Sequence, residues 1–296
     1  MSTWYNHFPA LSDGTMRAIR QTVDEAFLGF ARDYGMTLET LFEPLRQFLI
    51  ATEKLLLEMP WLLVLVILMG LAWLATRSLK ITLLSLCAFF VIGVLGMWQD
   101  TMRTISMIVV ATVLTIIIGL PIGIALSRSD RLQRLINPFL DIMQTLPSFV
   151  YLIPVVMLLG IGRVPGLIAV VIYALPPMIR FTNLGIRLVS SEVIEAADAY
   201  GANAWQKLTK VQLPLALPTI MAGINQTIMM SLSMVVIASM IGVQGLGQPV
   251  LRAINNQYFT LGLLNGFAIV VIAVVFDRVS QMYGKRLQKH LEVHHG

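Results

Sequence analysis

A chain of 296 residues that is 57% hydrophobic and only 12% charged carries about half the roughly 25% charge of ordinary soluble domains, and its mean hydropathy is +0.78. Such a chain belongs in a bilayer. The single cysteine, Cys87, excludes an intramolecular disulfide or a thiolate metal cluster, and the four histidines, His7, His290, His294 and His295, sit near the termini, away from any membrane-embedded catalytic centre.

From Met1 to Met59 there are five basic and eight acidic side chains, with apolar residues at helical spacing such as Leu38, Leu41, Phe42, Leu45, Phe48 and Leu49. This predicts one or two amphipathic helices lying along the outer membrane surface or meeting a partner. The acidic balance disfavours an anionic lipid surface. No removable signal peptide is expected, because the first long apolar run starts only near Trp61.

Crossing roughly 30 Å of hydrocarbon takes about 20 mostly apolar residues. Seven segments come close to that: approximately Pro60 to Thr76, Leu79 to Trp98, Thr104 to Leu126, Pro138 to Ile161, Pro165 to Leu184, Pro218 to Val243 and Thr260 to Phe276. Their connecting loops alternate in charge. Arg77 and Lys80; Arg128, Arg131 and Arg134; Arg187, Lys207 and Lys210; and Arg278, Lys285, Arg286 and Lys289 fall on one side, against only Arg103, Arg163 and Arg252 on the other. Lys and Arg accumulate in cytoplasmic loops, so the amino terminus is expected outside and the carboxyl terminus in the cytoplasm. The same inside loops account for the net charge of +5 and leave a nucleic-acid reading without support.

One loop on the basic side stands apart. Glu195 to Pro214 reads E-A-A-D-A-Y-G-A-N-A-W-Q-K-L-T-K-V-Q-L-P. Glu195 to Tyr200 favours helix, and Ala196, Ala197 and Ala199 leave little side chain between that backbone and a docked surface. Gly201 permits a sharp change of direction, while Pro214 and Pro218 are expected to limit continuation of helix into the next span. Glu-Ala-Ala, three residues, Gly201, nine residues, then Val211-x-Leu213-Pro214 resembles the loop by which bacterial importer permeases of the ATP-binding-cassette class engage their ATPases. Val211 stands where the broader pattern often has isoleucine. No Walker loop is present to wrap a nucleotide: at the nearest approach, Gly201 to Leu208, Gln206 precedes Lys207 and no hydroxyl follows it.

The stretch from Met143 to Leu188, including M-Q-T-L-P-S-F-V-Y-L-I-P, together with Val211 to Thr227 and Ser231 to Gly242, is similar to permeases of glycine betaine, proline betaine, choline, carnitine and related quaternary-amine importers. The resemblance covers roughly Trp98 to Gly284. It implies an all-α polytopic membrane protein with a five-helix type I importer core at 99–284, containing the cytoplasmic coupling loop 190–217. A transmembrane hairpin at 60–98 precedes that core, beyond the amphipathic extension 1–59, and a cytoplasmic tail at 285–296 follows it. The implied assembly is a permease homodimer in the bacterial inner membrane with two ATPases, which carry the ATP and Mg, and a periplasmic or lipid-anchored binding protein. The chain itself then binds no cofactor and has no catalytic residues. Glu195, Ala196, Ala197, Gly201, Leu213 and Pro214 are the expected ATPase-coupling residues.

Polar groups inside spans are costly and mark cavities or partners. Gln144, Thr145, Asn225 and Gln226, with Ser231 and Ser233, are candidates for the path or the dimer seam, with helix-to-helix hydrogen bonding the alternative for Asn225 and Gln226. A quaternary amine has a fixed charge and no N–H donors, so the faces of Phe149, Tyr151 and Tyr173 are candidate contacts, against ordinary packing. Met229, Met230, Met234 and Met240 form a flexible gate or fill gaps. Asp141 and Asp277 read as anchors near the interface, and the turn-rich Gln244 to Pro249 reads as a landing place for a binding protein or a plain connector. The competing function is an ion-coupled secondary transporter of a small osmolyte, which would work without ATP or partners. A membrane enzyme would need nucleophile, acid/base or metal groups converging at one depth, and the single cysteine and the absence of histidines from the core segments argue against most such schemes.

Overall fold

The computed structural model describes residues 10–293, with side chains as far as Arg286, and among the described residues the fold is entirely helical. His7, His294, His295 and the side chain of His290 fall outside that range. The amphipathic extension is one helix, α1 (Asp13–Glu58), opened by Ser12, whose Oγ accepts from the Thr15 N–H, and running through Pro44. It stops because Met59 precedes Pro60 and is held extended, and the chain turns by 110° into α2 (Trp61–Thr76). Arg77 closes α2 with its N–H on the Trp73 carbonyl and its guanidinium 4.4 Å over the Trp73 ring. The short apolar α3 (Leu79–Val94) leads to α4 (Trp98–Ser127).

The fourth expected span is not one helix. An amphipathic α5 (Asp130–Thr145) turns by 109° into a 3-10 turn, Ser148–Tyr151, and then α6 (Leu152–Leu159). Leu146, forced extended by Pro147, breaks it; apolar length was visible in the sequence, but direction was not.

Past Gly162 come α7 (Arg163–Arg187), the loop helix α8 (Ser191–Ala199) and a single turn, α9 (Ala204–Gln206). From α9 a wide π turn, Lys207–Gln212, runs into α10 (Leu213–Ala238); α11 (Gly247–Asn256) and α12 (Phe259–Val293) follow. The expectation that Pro214 and Pro218 would limit the helix needs correction, because Ala204–Ile241 is continuous over 38 residues. Pro214 has no N–H for the carbonyl four residues back and its ring crowds that carbonyl; the widened turn before it absorbs both effects without ending the helix.

Four helices, Trp98–Ser127, Arg163–Arg187, Ala204–Ile241 and Phe259–Arg286, are long and apolar enough to cross a membrane alone, and counting each bent pair as one crossing raises the number to six. The 16-residue α3 is shorter. At the centre α7 packs between α4 and α10, with α12 beyond α10 and α1 laid against α4. Lipid gives no hydrophobic drive between helices, so they rely on close fit. Gly123 of α4 and Gly223 of α10 provide it: a Cβ at either would lie 2.5 Å from Thr182 Cβ or 2.6 Å from Phe181 Cβ on α7.

Candidate functional site

The charged loop leaves the bundle from a firm base. At the end of α7, Arg187 donates to Asn183 Oδ1 at 2.9 Å and to the Leu126 carbonyl at 3.0 Å, and pairs with Asp130 at 2.7 Å, so one guanidinium ties the ends of α4, α5 and α7. Ser190 then caps α8 by accepting from the Glu192 N–H. The far end of α8 is closed twice, by the Gly201 N–H on the Asp198 carbonyl at 2.9 Å and the Ala202 N–H on the Ala197 carbonyl at 3.0 Å. That closure needs a left-handed residue, and Gly201 has φ +74°. Asn203 and Gln206 exchange hydrogen bonds in a capping box that starts the next helix at once. Lys207 pairs with Asp198 across the turn, and Leu208 is buried against Ile186, Ala216 and Ile220. The loop is therefore a short helix clamped at both ends, able to carry a push as a unit.

Glu195, Ala196 and Gly201 are exposed and Ala197 is half-buried, while Leu213 and Pro214 sit half-buried where the loop joins α10. Tyr200, 93% exposed, and Trp205, 69% exposed, flank Gly201 and were not singled out from sequence. Two bare aromatics in an otherwise polar loop were the signal available. Large exposed aromatics of this kind are typical anchors for a partner surface.

The path candidates divide into two groups. Gln144, Thr145 and Phe149 are exposed around the break between α5 and α6, and the Thr145 hydroxyl donates to the Ile142 carbonyl at 3.2 Å. Next to them, Tyr151 is only 8% exposed, donates its hydroxyl to the Met143 carbonyl and meets Tyr173 edge-on at 5.8 Å. Asn225 is engaged between helices: its amide donates to Asp277 at 3.0 Å and its carbonyl accepts from Ser280, whereas Gln226 is exposed. Asp141 pairs with Arg180, Met234 is fully buried and Met240 is exposed.

Residues 115–289 match the family model described as the binding-protein-dependent transport system inner membrane component. The chain belongs to this family. Among individual relatives of this inner membrane component, the glycine betaine/proline betaine transport system permease protein ProW of Escherichia coli (strain K12) is 47% identical over 242 residues, covering 82% of this chain and 68% of ProW. The glycine betaine/carnitine transport permease protein GbuB of Listeria monocytogenes serotype 1/2a is 45% identical over 229 residues, covering 77% of this chain and 81% of GbuB. A solved structure of the MetNI methionine ABC transporter, described as inward facing, aligns with a TM-score of 0.58 at 22% identity over 62% of this chain and 93% of that one, a likeness of fold. This inner membrane component is thus a multi-pass membrane protein that shares its helical fold with that structure.

Proposed function

We propose that the chain is the membrane-spanning subunit of an ATP-driven importer of quaternary ammonium compounds, glycine betaine, proline betaine, choline or carnitine, and that it draws its energy from a separate ATPase through the α8 loop. The observation that carries this reading is the capped, exposed turn from Glu195 to Gly201 on the side of the bundle that holds the basic loops. Relatives whose names specify betaines and carnitine support the substrate class. In this reading seven segments cross the bilayer, with the amino terminus outside and the loop in the cytoplasm. Two copies enclose a path bordered by Gln144, Thr145, Phe149, Tyr151, Tyr173 and Gln226, with Asn225 holding α10 to α12 beside it; two ATPases carrying ATP and Mg dock below, and a binding protein delivers substrate from outside.

ATP drives such a cycle only to the extent that the docked ATPases favour one arrangement of the permease pair over the other. The coupling residues have separate tasks. Ala196 and Ala197 admit a close surface, Glu195 and the aromatics grip it, Gly201 sets the turn, and Leu213 with Pro214 passes its displacement into α10. The decisive experiment is uptake of labelled glycine betaine into proteoliposomes that contain the chain, its neighbouring ATPase and binding protein. Uptake that needs all three together with ATP supports the proposal; uptake by the chain alone, driven by an ion gradient, would replace it with a secondary transporter. Impermeant thiol reagents supply the topology test, with a cysteine at Thr37 expected to react from outside and one at Arg131 not.

A further inference from the structure

At the end of the bundle remote from the basic loops, charged side chains from three helices converge, and the transport reading leaves them without a task. Glu53 of α1 has a side chain only 11% exposed. Its Oε2 accepts from Arg163, the first residue of α7, at 2.7 Å, and its Oε1 lies 3.5 Å from Nε of Arg103 on α4. Arg163 also donates to Gln244, between α10 and α11, at 2.8 Å, and Arg103 pairs with Asp100 at 3.1 Å. One carboxylate thus joins α1 to the starts of α4 and α7 and, through Arg163, to the turn after α10.

The neighbours on this rim have little slack. The Leu246 N–H donates to Thr104 Oγ1 at 3.0 Å, and a Cβ at Gly245 would lie 2.5 Å from that same oxygen. Against this close-packed unit, α1 is held by Leu45, Leu49 and the Glu53 charges, and the 110° turn at Met59 and Pro60 follows directly behind. The two guanidiniums are served unequally, since the Nε of Arg103 is buried without a hydrogen-bond partner. A partly buried carboxylate between two arginines, close to one and short of the other, has a second position available at small displacement. Removing its charge takes the only carboxylate partner from Arg163 among the described residues and leaves Arg103 with Asp100 alone, which is unfavourable for cations only partly open to water.

We propose that Glu53 is a positioning residue of the transport cycle: it latches α1 to the rim through Arg163 and passes toward Arg103 when this end of the bundle opens. The inference rests on the importer reading. It is tested in the assembled transporter with Cys87 replaced by serine and spin labels at Thr37→Cys and Ile161→Cys, which report the distance from α1 to the turn before α7. The expected result is a short distance at rest, a longer one after trapping with ATP and vanadate, and the longer one at rest in Glu53→Gln, with a several-fold loss of uptake. A brace with no part in the cycle would lower stability but leave the distance independent of nucleotide. An unchanged resting distance in Glu53→Gln, or a distance that nucleotide fails to move while the ATPase stays bound, overturns the latch. Should Glu53→Gln fail to insert, Arg163→Gln breaks the same contact and is read in the same way. Failure of the ATPase to bind at all overturns the importer reading instead, and the resting comparison still judges the latch.

Discussion

The two ends of this permease are built on opposite principles. At the α8 loop, order comes from local backbone capping by Ser190, Gly201, Asn203 and Gln206, and the largest side chains, Tyr200 and Trp205, point into solvent. At the Glu53 rim, order comes from residues far apart in sequence, and the charges point inward onto one another. A surface that holds its own shape while leaving its aromatics bare is ready for something else. A surface whose charges are spent mainly on one another serves the chain itself.

The contrast is broken most severely by Gly201→Trp. A side chain at φ +74° costs about 1–2 kcal/mol in backbone strain, and although nothing lies within 4 Å of the position, an indole there stands in the way of any docked surface. Insertion should survive, while ATPase co-purification and uptake should be lost; normal values of both would sink the coupling assignment.

A smaller effect, in a different observable, comes from the bundle centre. Gly123→Leu or Gly223→Leu pushes into Thr182 or Phe181 and should cost about 1–3 kcal/mol, seen as a lower melting temperature in detergent. Gly266→Leu, with no atom within 4 Å, serves as the control. Equal shifts in all three would mean that the small-residue contacts do not set the helix spacing.

Sharpening the comparison requires changes that spare the fold. Tyr200→Ala and Trp205→Ala should each weaken ATPase binding roughly tenfold, about 1–2 kcal/mol, with melting unchanged because neither side chain is buried. A melting shift without a binding loss would reverse their assignment. The least effect is expected from Asn225→Ala, which removes the contact to Asp277. Interhelical hydrogen bonds in membranes are worth about 0.6 kcal/mol on average, so a shift of a degree or two is predicted, with uptake retained. Complete loss of uptake at unchanged stability would instead move Asn225 into the path.

What could be read from the sequence followed the range of each interaction. The α8 helix and its turn at Gly201 were legible because Glu195 to Gly201 are neighbours in the chain, although the caps at Ser190 and Asn203 were not read, and the apolar segments were visible in hydropathy. The turn at Leu146 was missed because an apolar count over Pro138 to Ile161 is blind to direction, even with Pro147 in view. Pro214 and Pro218 misled in the other sense: a π turn precedes Pro214, and the α-helix runs on through Pro218. Arg103 and Arg163 looked like isolated cations; their partner Glu53 is a long way off in sequence, and no local pattern announces a contact of that kind. Gly123 and Gly223 were equally silent, because a close approach is a property of two helices at once.

The unbroken run from Ala204 to Ile241 has a mechanical consequence. At about 1.5 Å per residue, its 38 residues form a shaft of roughly 57 Å that begins beside Trp205 and ends three residues short of Gln244, the partner of Arg163. In the importer reading, torque applied at one face of the bilayer would reach the other through the widened turn at Lys207–Gln212, Pro218 and the 3-10 turn at Ser239–Ile241. In that reading the widest of these, the six residues of the π turn next to the loop, would set how much of the stroke arrives.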